Sequence, residues 1–297
     1  MRCLVFAYSQ LGHDCLKYII EKTGYTVVCV ITHEDSPSEH IWFDSVKALA
    51  QKHKIDVLTP ESLKNETIQN QINAYNADVL LSFYYRNMIP EVIFSKPPLG
   101  AYNMHGSLLP KYRGRCPVNW AIINGETKTG VTLHHMLKTA DAGDIVAQAE
   151  TEISFEDTAG AVMSRLNTLA VNVLKQSLPR IASQTAFKIV QNASESSYFG
   201  GRSSKDGQIN WSKSAADIHN LVRALQPTPQ YPAAFGDINK TECNIIKSMI
   251  VENSSTIVYK PGTVIQQFND TTYYIACGAN GDEILCVIVE AKEAASH

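Results

Sequence analysis

The sequence has no apolar run approaching the roughly 20 residues that a membrane-spanning helix needs, so membrane insertion is not expected. The N-terminal apolar stretch, 1–7, is also too short for a signal peptide. The loop after the first predicted strand, Ala7-Tyr8-Ser9-Gln10-Leu11-Gly12, lacks the G-x-G-x-x-G fingerprint and keeps only Gly12, which argues against a dinucleotide site. No G-x-x-x-x-G-K-[ST] loop occurs either, which removes P-loop nucleotidases. Basic charge is not in excess: 26 Lys and Arg stand against 29 Asp and Glu, net −3. Nucleic-acid binders usually carry a basic face to neutralise phosphates, so no nucleic-acid partner is expected. The seven cysteines are odd in number and none is spaced C-x-x-C, which disfavours a disulfide framework or a zinc knuckle. Several, such as Cys3 and Cys29, lie in apolar runs, where a free thiol behaves as a small hydrophobe. A cytoplasmic location fits this usage. The pairs His134-His135 and His33/His40 lack metal-ligand spacing with a carboxylate or thiol and read as surface or core histidines, so no metal is expected.

What is present is an alternating pattern. Short apolar runs at 3–7, 25–32, 55–58, 79–83 and 101–105 read as strands. Helical spacing occupies 12–22, 44–53 and 67–75 between them. Such alternation predicts an α/β fold: a Rossmann-like, mainly parallel sheet with helices on both faces. Two further strands follow at 131–137 and 145–153, then a long helix at 156–183 with Ser154-x-x-Asp157 as a capping-box-like start. Composition shifts near 192, and the Ser- and Gly-rich stretch that follows reads as a linker. The expected division is a catalytic domain at 1–192, a linker at 193–205 and a β-rich domain at 206–297. The last would be a small open barrel of OB-like type. It holds a helix at 215–225, ending before Pro227, Pro229 and Pro232, and short β-branched runs at 243–250, 263–267, 271–276 and 284–290.

In parallel sheets ligands bind beyond the carboxyl ends of the strands. One such end carries Asn103-Met104-His105-Gly106, followed by Ser107-Leu108-Leu109-Pro110-Lys111-Tyr112-Arg113-Gly114-Arg115. Strand side chains alternate, so Asn103 and His105 share a face. Polar residues in an apolar strand need partners or a task. A hydrogen-bonded pair holding the loop is as compatible with the spacing as a catalytic pair. Asp141, in Leu137-Lys138-Thr139-Ala140-Asp141-Ala142-Gly143-Asp144, could orient a histidine or simply precede a turn.

Taken together, Asn103-x-His105, the Ser-Leu-Leu-Pro run to Gly114, and Asp141 resemble the folate-dependent formyltransferase family. Asp206-Gly207-x-Ile209-x-Trp211, Val222-Arg223-Ala224-Leu225 and Lys260-Pro261-Gly262-Thr263-Val264 resemble that family's C-terminal domain, so nearly the whole chain is covered. Val5-Phe6-Ala7-Tyr8, the run from Thr32 to Pro37, Ser82-Phe83-Tyr84-Tyr85-Arg86 and His105 to Trp120 are most similar to one branch. That branch is the formyltransferase domain of the bifunctional enzymes acting on UDP-4-amino-4-deoxy-L-arabinose. Their C-terminal dehydrogenase and decarboxylase domain has no counterpart in this sequence.

The resemblance implies formyl transfer from 10-formyltetrahydrofolate to the 4-amino group of a nucleotide-linked amino sugar. The UDP-arabinose derivative ranks first, in lipid A modification and resistance to cationic peptides. A dTDP-4-amino sugar enzyme of O-antigen synthesis is the alternative. Methionyl-tRNA, water in a deformylase, and a non-catalytic folate-binding protein rank lower. The resemblance further implies that Asn103 donates to the oxyanion and that His105 shuttles a proton, with Asp141 raising the His105 pKa. It places Asn87, Met88, Ile89, Arg115 and the run Leu137, Lys138, Thr139, Ala140 and Asp141 in the folate pocket. Asn87 stands where the arabinose enzyme has a histidine, which puts a side-chain contact there in doubt. Cys116 replaces a small alanine and reads as packing. The loop from His33 to Asp44 holds Glu34, Asp35, Glu39 and Asp44 without a Lys or Arg, which disfavours tRNA as acceptor. Arg113 and Arg115 are candidate cations for a nucleotide diphosphate, or else residues that structure their loop. A homo-oligomer stays open.

Overall fold

The structure, a computed structural model, describes residues 1–34, 41, 43–226, 232–252 and 257–291. The chain divides into two compact units. The first comprises 1–117, 128–152 and 164–199; the second comprises 118–127, 153–163 and the described residues from 200 onward.

The first unit opens with β1 (Arg2–Ala7), α1 (Ser9–Lys22), β2 (Thr26–Ile31), α2 (Val46–Lys52), β3 (Val57–Leu58), α3 (Glu66–Asn73), β4 (Val79–Phe83), α4 (Glu91–Phe94) and β5 (Ala101–His105). It continues through β6 (Arg113–Gly114), α5 (Pro117–Ile123, which runs into the second unit), β7 (Lys128–His135), β8 (Ile145–Glu152), most of α6 (Ala159–Ala182) and β9 (Tyr198–Phe199). Seven strands form one sheet in the order β3-β2-β1-β4-β5-β7-β8. The first five are parallel, whereas β7 runs antiparallel to both β5 and β8.

The parallel strands are apolar on both faces because both faces are covered. Leu4, Phe6, Cys29, Ile31 and Leu80 point to one side and pack with Ile72 of α3 and Ile93 of α4. On the other side α1 comes so close that a Cβ on Gly12 would lie 3.0 Å from the Phe83 carbonyl oxygen and 3.2 Å from Ala7 Cβ. Each fully buried Leu, Ile or Phe contributes about 1.5–3 kcal/mol relative to exposure. The thiols of Cys3 and Cys29 take part in this core, where burial pushes both up to about 12, so they act as hydrophobes rather than nucleophiles.

The second unit contains α7 (Ala215–Ala224) and the strands β10 (Ala234–Ile238), β11 (Thr241–Val251), β12 (Val264–Gln267), β13 (Thr272–Cys277) and β14 (Glu283–Ala291). The strands pair antiparallel in the order β10-β11-β14-β13-β12, and among the described residues no ladder joins β10 to β12. Ile218 and Val222 of α7 pack on Ile245, Leu285 and Val287.

Three local expectations need correction. The Ser154-x-x-Asp157 motif closes a turn, with the Ser154 N–H donating to Asp157 Oδ2 at 2.7 Å. Helix α6 starts later, and Thr158 Oγ1 caps it by accepting from the Ala161 N–H at 3.3 Å. The stretch 193–205 contains a 3₁₀ turn at Ala193–Glu195 and β9, which pairs with β6. The β-branched runs, expected from 243 onward, begin earlier, with β10 at Ala234–Ile238.

Candidate active site

Strand β5 pairs with β7 in the register Asn103↔His134 and His105↔Thr132. Residues directly opposite in an antiparallel pair point to the same side, so these four side chains share one face. Thr132 anchors the turn that follows β5: its hydroxyl donates to the Ser107 carbonyl at 2.6 Å and accepts from the Leu109 N–H at 3.1 Å. Gly106 begins that turn, and a Cβ there would run into the Tyr84 hydroxyl.

His105 is 6% exposed. Its Nε2 lies 2.7 Å from the Tyr112 carbonyl oxygen, which can only accept, so Nε2 carries the proton. In the neutral ring the Nδ1 lone pair then faces Asp141 Oδ1 across 3.6 Å. His134 is fixed by the same logic: its Nδ1 donates to the His135 carbonyl at 2.8 Å. Its Nε2 is left to accept from Asn103 Nδ2 at 3.2 Å, and it lies 3.5 Å from Asp141 Oδ1. The Asn103 amide also approaches Asp141 Oδ1 at 3.4 Å, so its Nδ2 rather than its oxygen faces the two acceptors.

Asp141 is the hub. Its side chain is 11% exposed, and Oδ2 accepts the Gly114 N–H at 2.9 Å. Its backbone is left-handed, with φ 54°, which costs a non-glycine residue on the order of 1 kcal/mol and must be held by its surroundings. Gln191 supplies the hold, with Nε2 donating to the Asp141 carbonyl at 2.8 Å and to the Gly143 carbonyl at 2.7 Å. Gly143 is required beside it, because a Cβ there would strike the His135 carbonyl.

Burial works against the Asp141 carboxylate, yet His105 and His134 in their protonated forms, together with the Gly114 N–H, hold its pKa well below the usual carboxylate range. For His105 the balance goes the other way. Burial pushes its pKa below the ordinary imidazole value, and Asp141 and the Tyr112 carbonyl oppose that shift without reversing it. Asp141 pulls the His105 pKa up, as expected, but the net shift is a fall, because desolvation of the enclosed ring outweighs a carboxylate at 3.6 Å. A neutral imidazole beside a fixed anion can take a proton and hold it as a stabilised imidazolium, and an amide N–H lies on the same face.

The other expected site residues divide. Asn87 and Met88 are exposed, as are Leu137, Lys138 and Thr139; Ala140 is half-buried. Met88 and Leu137 thus offer apolar side chains to solvent, at 65% and 52% exposure. Ile89 is buried in the core with Leu4 and Phe6, so only its backbone is available to a ligand. Arg115 is exposed, but Arg113 is committed to Gln191 Oε1 through Nε at 3.2 Å and Nη2 at 2.7 Å. Cys116 is exposed with φ 53°, which overturns its reading as packing. Of the acidic loop, Glu34 pairs with Lys47 at 2.8 Å; Asp35, Glu39 and His40 lie outside the described residues. Among the described residues no cluster of His, Cys, Asp and Glu could hold a metal, and no helix is long and apolar enough to cross a membrane.

Residues 1–178 match the formyl transferase family, and residues 202–296 match the formyl transferase C-terminal domain. The chain belongs to the formyl transferase family. Solved structures share its fold at low identity. One is WlaRD, a sugar 3N-formyl transferase determined with dTDP and 5-N-formyl-THF: 22% identity, 98% of each chain covered, TM-score 0.74. Another is the N-formyltransferase of Helicobacter canadensis with folinic acid and dTDP-3-aminofucose: 23% identity, 97% of this chain and 99% of that one, TM-score 0.73. A sugar N-formyltransferase of Shewanella sp. FDAARGOS_354 matches at 18% identity over 82% of this chain and 96% of its own, TM-score 0.65.

Proposed function

We propose that this formyl transferase carries a formyl group from 10-formyltetrahydrofolate to the amine of a nucleotide-linked amino sugar. The observation that carries the reading is the convergence of Asn103, His105 and Asp141 on one buried face, in a chain whose two parts both match the family. In the reaction the bond between amine nitrogen and formyl carbon forms, and the bond between formyl carbon and folate nitrogen breaks. The proton lost by the amine ends on that folate nitrogen. Asn103 donates an N–H to the formyl oxygen as it gains negative charge, releasing its long 3.4 Å contact with Asp141 to do so. His105, held neutral by burial, takes the amine proton on Nδ1 and returns it to the leaving nitrogen. Asp141 stabilises the imidazolium in between. The apolar surfaces of Met88 and Leu137 suit the folate ring, with polar contacts from the backbone of 87–89 and 137–141. Arg115, exposed, is the remaining cation for the diphosphate.

For the acceptor, the relatives solved with dTDP or a dTDP-sugar favour a dTDP-linked amino sugar over UDP-4-amino-4-deoxy-L-arabinose. The segments shared with the arabinose enzymes, from Val5 to Tyr8 and from Ser82 to Arg86, keep the UDP-sugar as the second reading. An acceptor panel tests this. The enzyme and 10-formyltetrahydrofolate are incubated with a dTDP-amino sugar, the UDP-arabinose derivative, methionyl-tRNA or no acceptor, and tetrahydrofolate release is followed. Release with the dTDP-sugar is expected. Release with the UDP-sugar alone would restore the arabinose reading, and release without acceptor would mean hydrolysis. No release from any mixture would mean a folate-binding protein without turnover.

A further inference from the structure

Gln191 lies 50 residues from Asp141 in sequence, yet every hydrogen-bonding position of its amide is directed at the site's frame. Its two N–H groups go to the Asp141 and Gly143 carbonyls at 2.8 and 2.7 Å. Its oxygen takes both contacts from the Arg113 guanidinium, at 3.2 and 2.7 Å. The residue is 8% exposed and has no capacity left for a substrate. Next to Arg113 in sequence, the Gly114 N–H holds the Asp141 carboxylate from the opposite side.

We propose that Gln191 is a positioning residue: it clamps the left-handed backbone of Asp141, is braced by Arg113, and so sets the Asp141 carboxylate against His105. This rests on the reading of His105 and Asp141 as catalytic. Arg113 is thereby assigned to the brace and withdrawn from the diphosphate.

The test compares the wild type with Gln191→Met, which keeps the bulk and loses both donors, and with Arg113→Gln, which leaves the donors and removes the brace. The first readout is the titration midpoint of the His105 ring proton by NMR, without substrate. The charged and titratable neighbours facing His105 are Asp141 from the loop after β7 and His134 from β7, with the Tyr112 carbonyl on its other side. Asp141 favours the protonated ring, so letting it drift moves the midpoint down, by about 1 pH unit in Gln191→Met. The acidic limb of kcat should move with it. At its plateau kcat should fall about 100-fold, the usual consequence of misplacing a catalytic group by an ångström, with KM for both substrates little changed. Arg113→Gln should show the same pattern at smaller amplitude, and it decides the matter should Gln191→Met fail to fold.

A folded Gln191→Met protein with the wild-type midpoint and kcat would overturn the proposal. So would an Arg113→Gln protein whose only defect is a raised KM for the nucleotide sugar. Should the wild type release tetrahydrofolate with no acceptor in the panel, the functional reading fails while the titration still decides the role of Gln191.

Discussion

Asp141 and Glu34 are two carboxylates of the same unit, each beside nitrogen bases, and they differ in almost every other respect. Glu34 makes the shorter contacts, with both oxygens 2.8 Å from Lys47 Nζ and one of them 2.7 Å from the Thr59 hydroxyl. Its side chain is nevertheless 61% exposed, so water screens the pair and two flexible side chains must be ordered to form it. Asp141 sits 3.5 to 3.6 Å from two imidazoles but is enclosed, with a backbone N–H on its second oxygen. Solvent cannot compensate there, so each lost partner is felt in full. Distance alone would rank the two in the wrong order; burial and the count of fixed donors rank them correctly.

The largest effect that would test this ranking is on turnover. Asp141→Asn and His105→Ala should each lower kcat by about 1,000-fold or more, as loss of a member of an acid–base pair does, with modest changes in KM. Turnover surviving in His105→Ala would end the proposed mechanism. Next comes His134→Phe, which removes the acceptor for the Asn103 amide and leaves a hydrophobe of similar size. A loss of about 10- to 100-fold in kcat is expected, with partial recovery in His134→Gln, whose carbonyl can accept in place of Nε2. Equal activity in the Phe and Gln variants would show that His134 only fills space.

Acid stability provides a smaller test. The folded His105 pKa is depressed, so below about 6.5 the unfolded chain binds the proton first. Stability is then complete above that pH, begins to fall there and is lost as the pH falls on through the lower folded value. The depressed Asp141 pKa adds stability that is complete above about 3.9 and lost on further acidification. Urea midpoints measured from pH 8 to pH 3 should therefore fall in two stages. In His105→Gln the first stage should shrink, and in Asp141→Asn the second. The smallest effect belongs to Glu34→Gln, for which no resolvable change in Tm is expected. A drop as large as that of Asp141→Asn would reverse the ranking of the two carboxylates.

Much of the frame could be read along the chain. The strand cores at 79–83 and 101–105 coincide with β4 and β5, because fully buried parallel strands are unbroken apolar runs bounded by turns. The shared face of Asn103 and His105 follows from alternation alone. His134 was passed over because its importance lies in register: only the antiparallel alignment of β7 on β5 puts it opposite Asn103. Gln191 and the bond from the Gly114 N–H were invisible for a related reason, since each meets Asp141 across tens of residues of intervening chain. The upward pull of Asp141 on His105 was legible, but the net fall was not, because the depth of burial is a property of the packed fold. For Arg113 the loop-structuring reading holds over the diphosphate one, because its charge is occupied by Gln191, and Cys116 failed as a packing residue because its small side chain turned outward.

The ladder between β6 and β9 has a consequence for how this protein comes into being. The stretch matching the catalytic family part, 1–178, contains Asn103, His105 and Asp141 but stops short of Gln191 and of Phe199, whose carbonyl receives the Arg115 N–H beside Gly114. A nascent chain can therefore complete the sheet, and carry all three groups, before the segment that fixes them has left the ribosome. In a chain made from its N-terminus, the two-residue pairing of β6 with β9 is the last ladder of this unit to become possible, after every strand of the seven-stranded sheet.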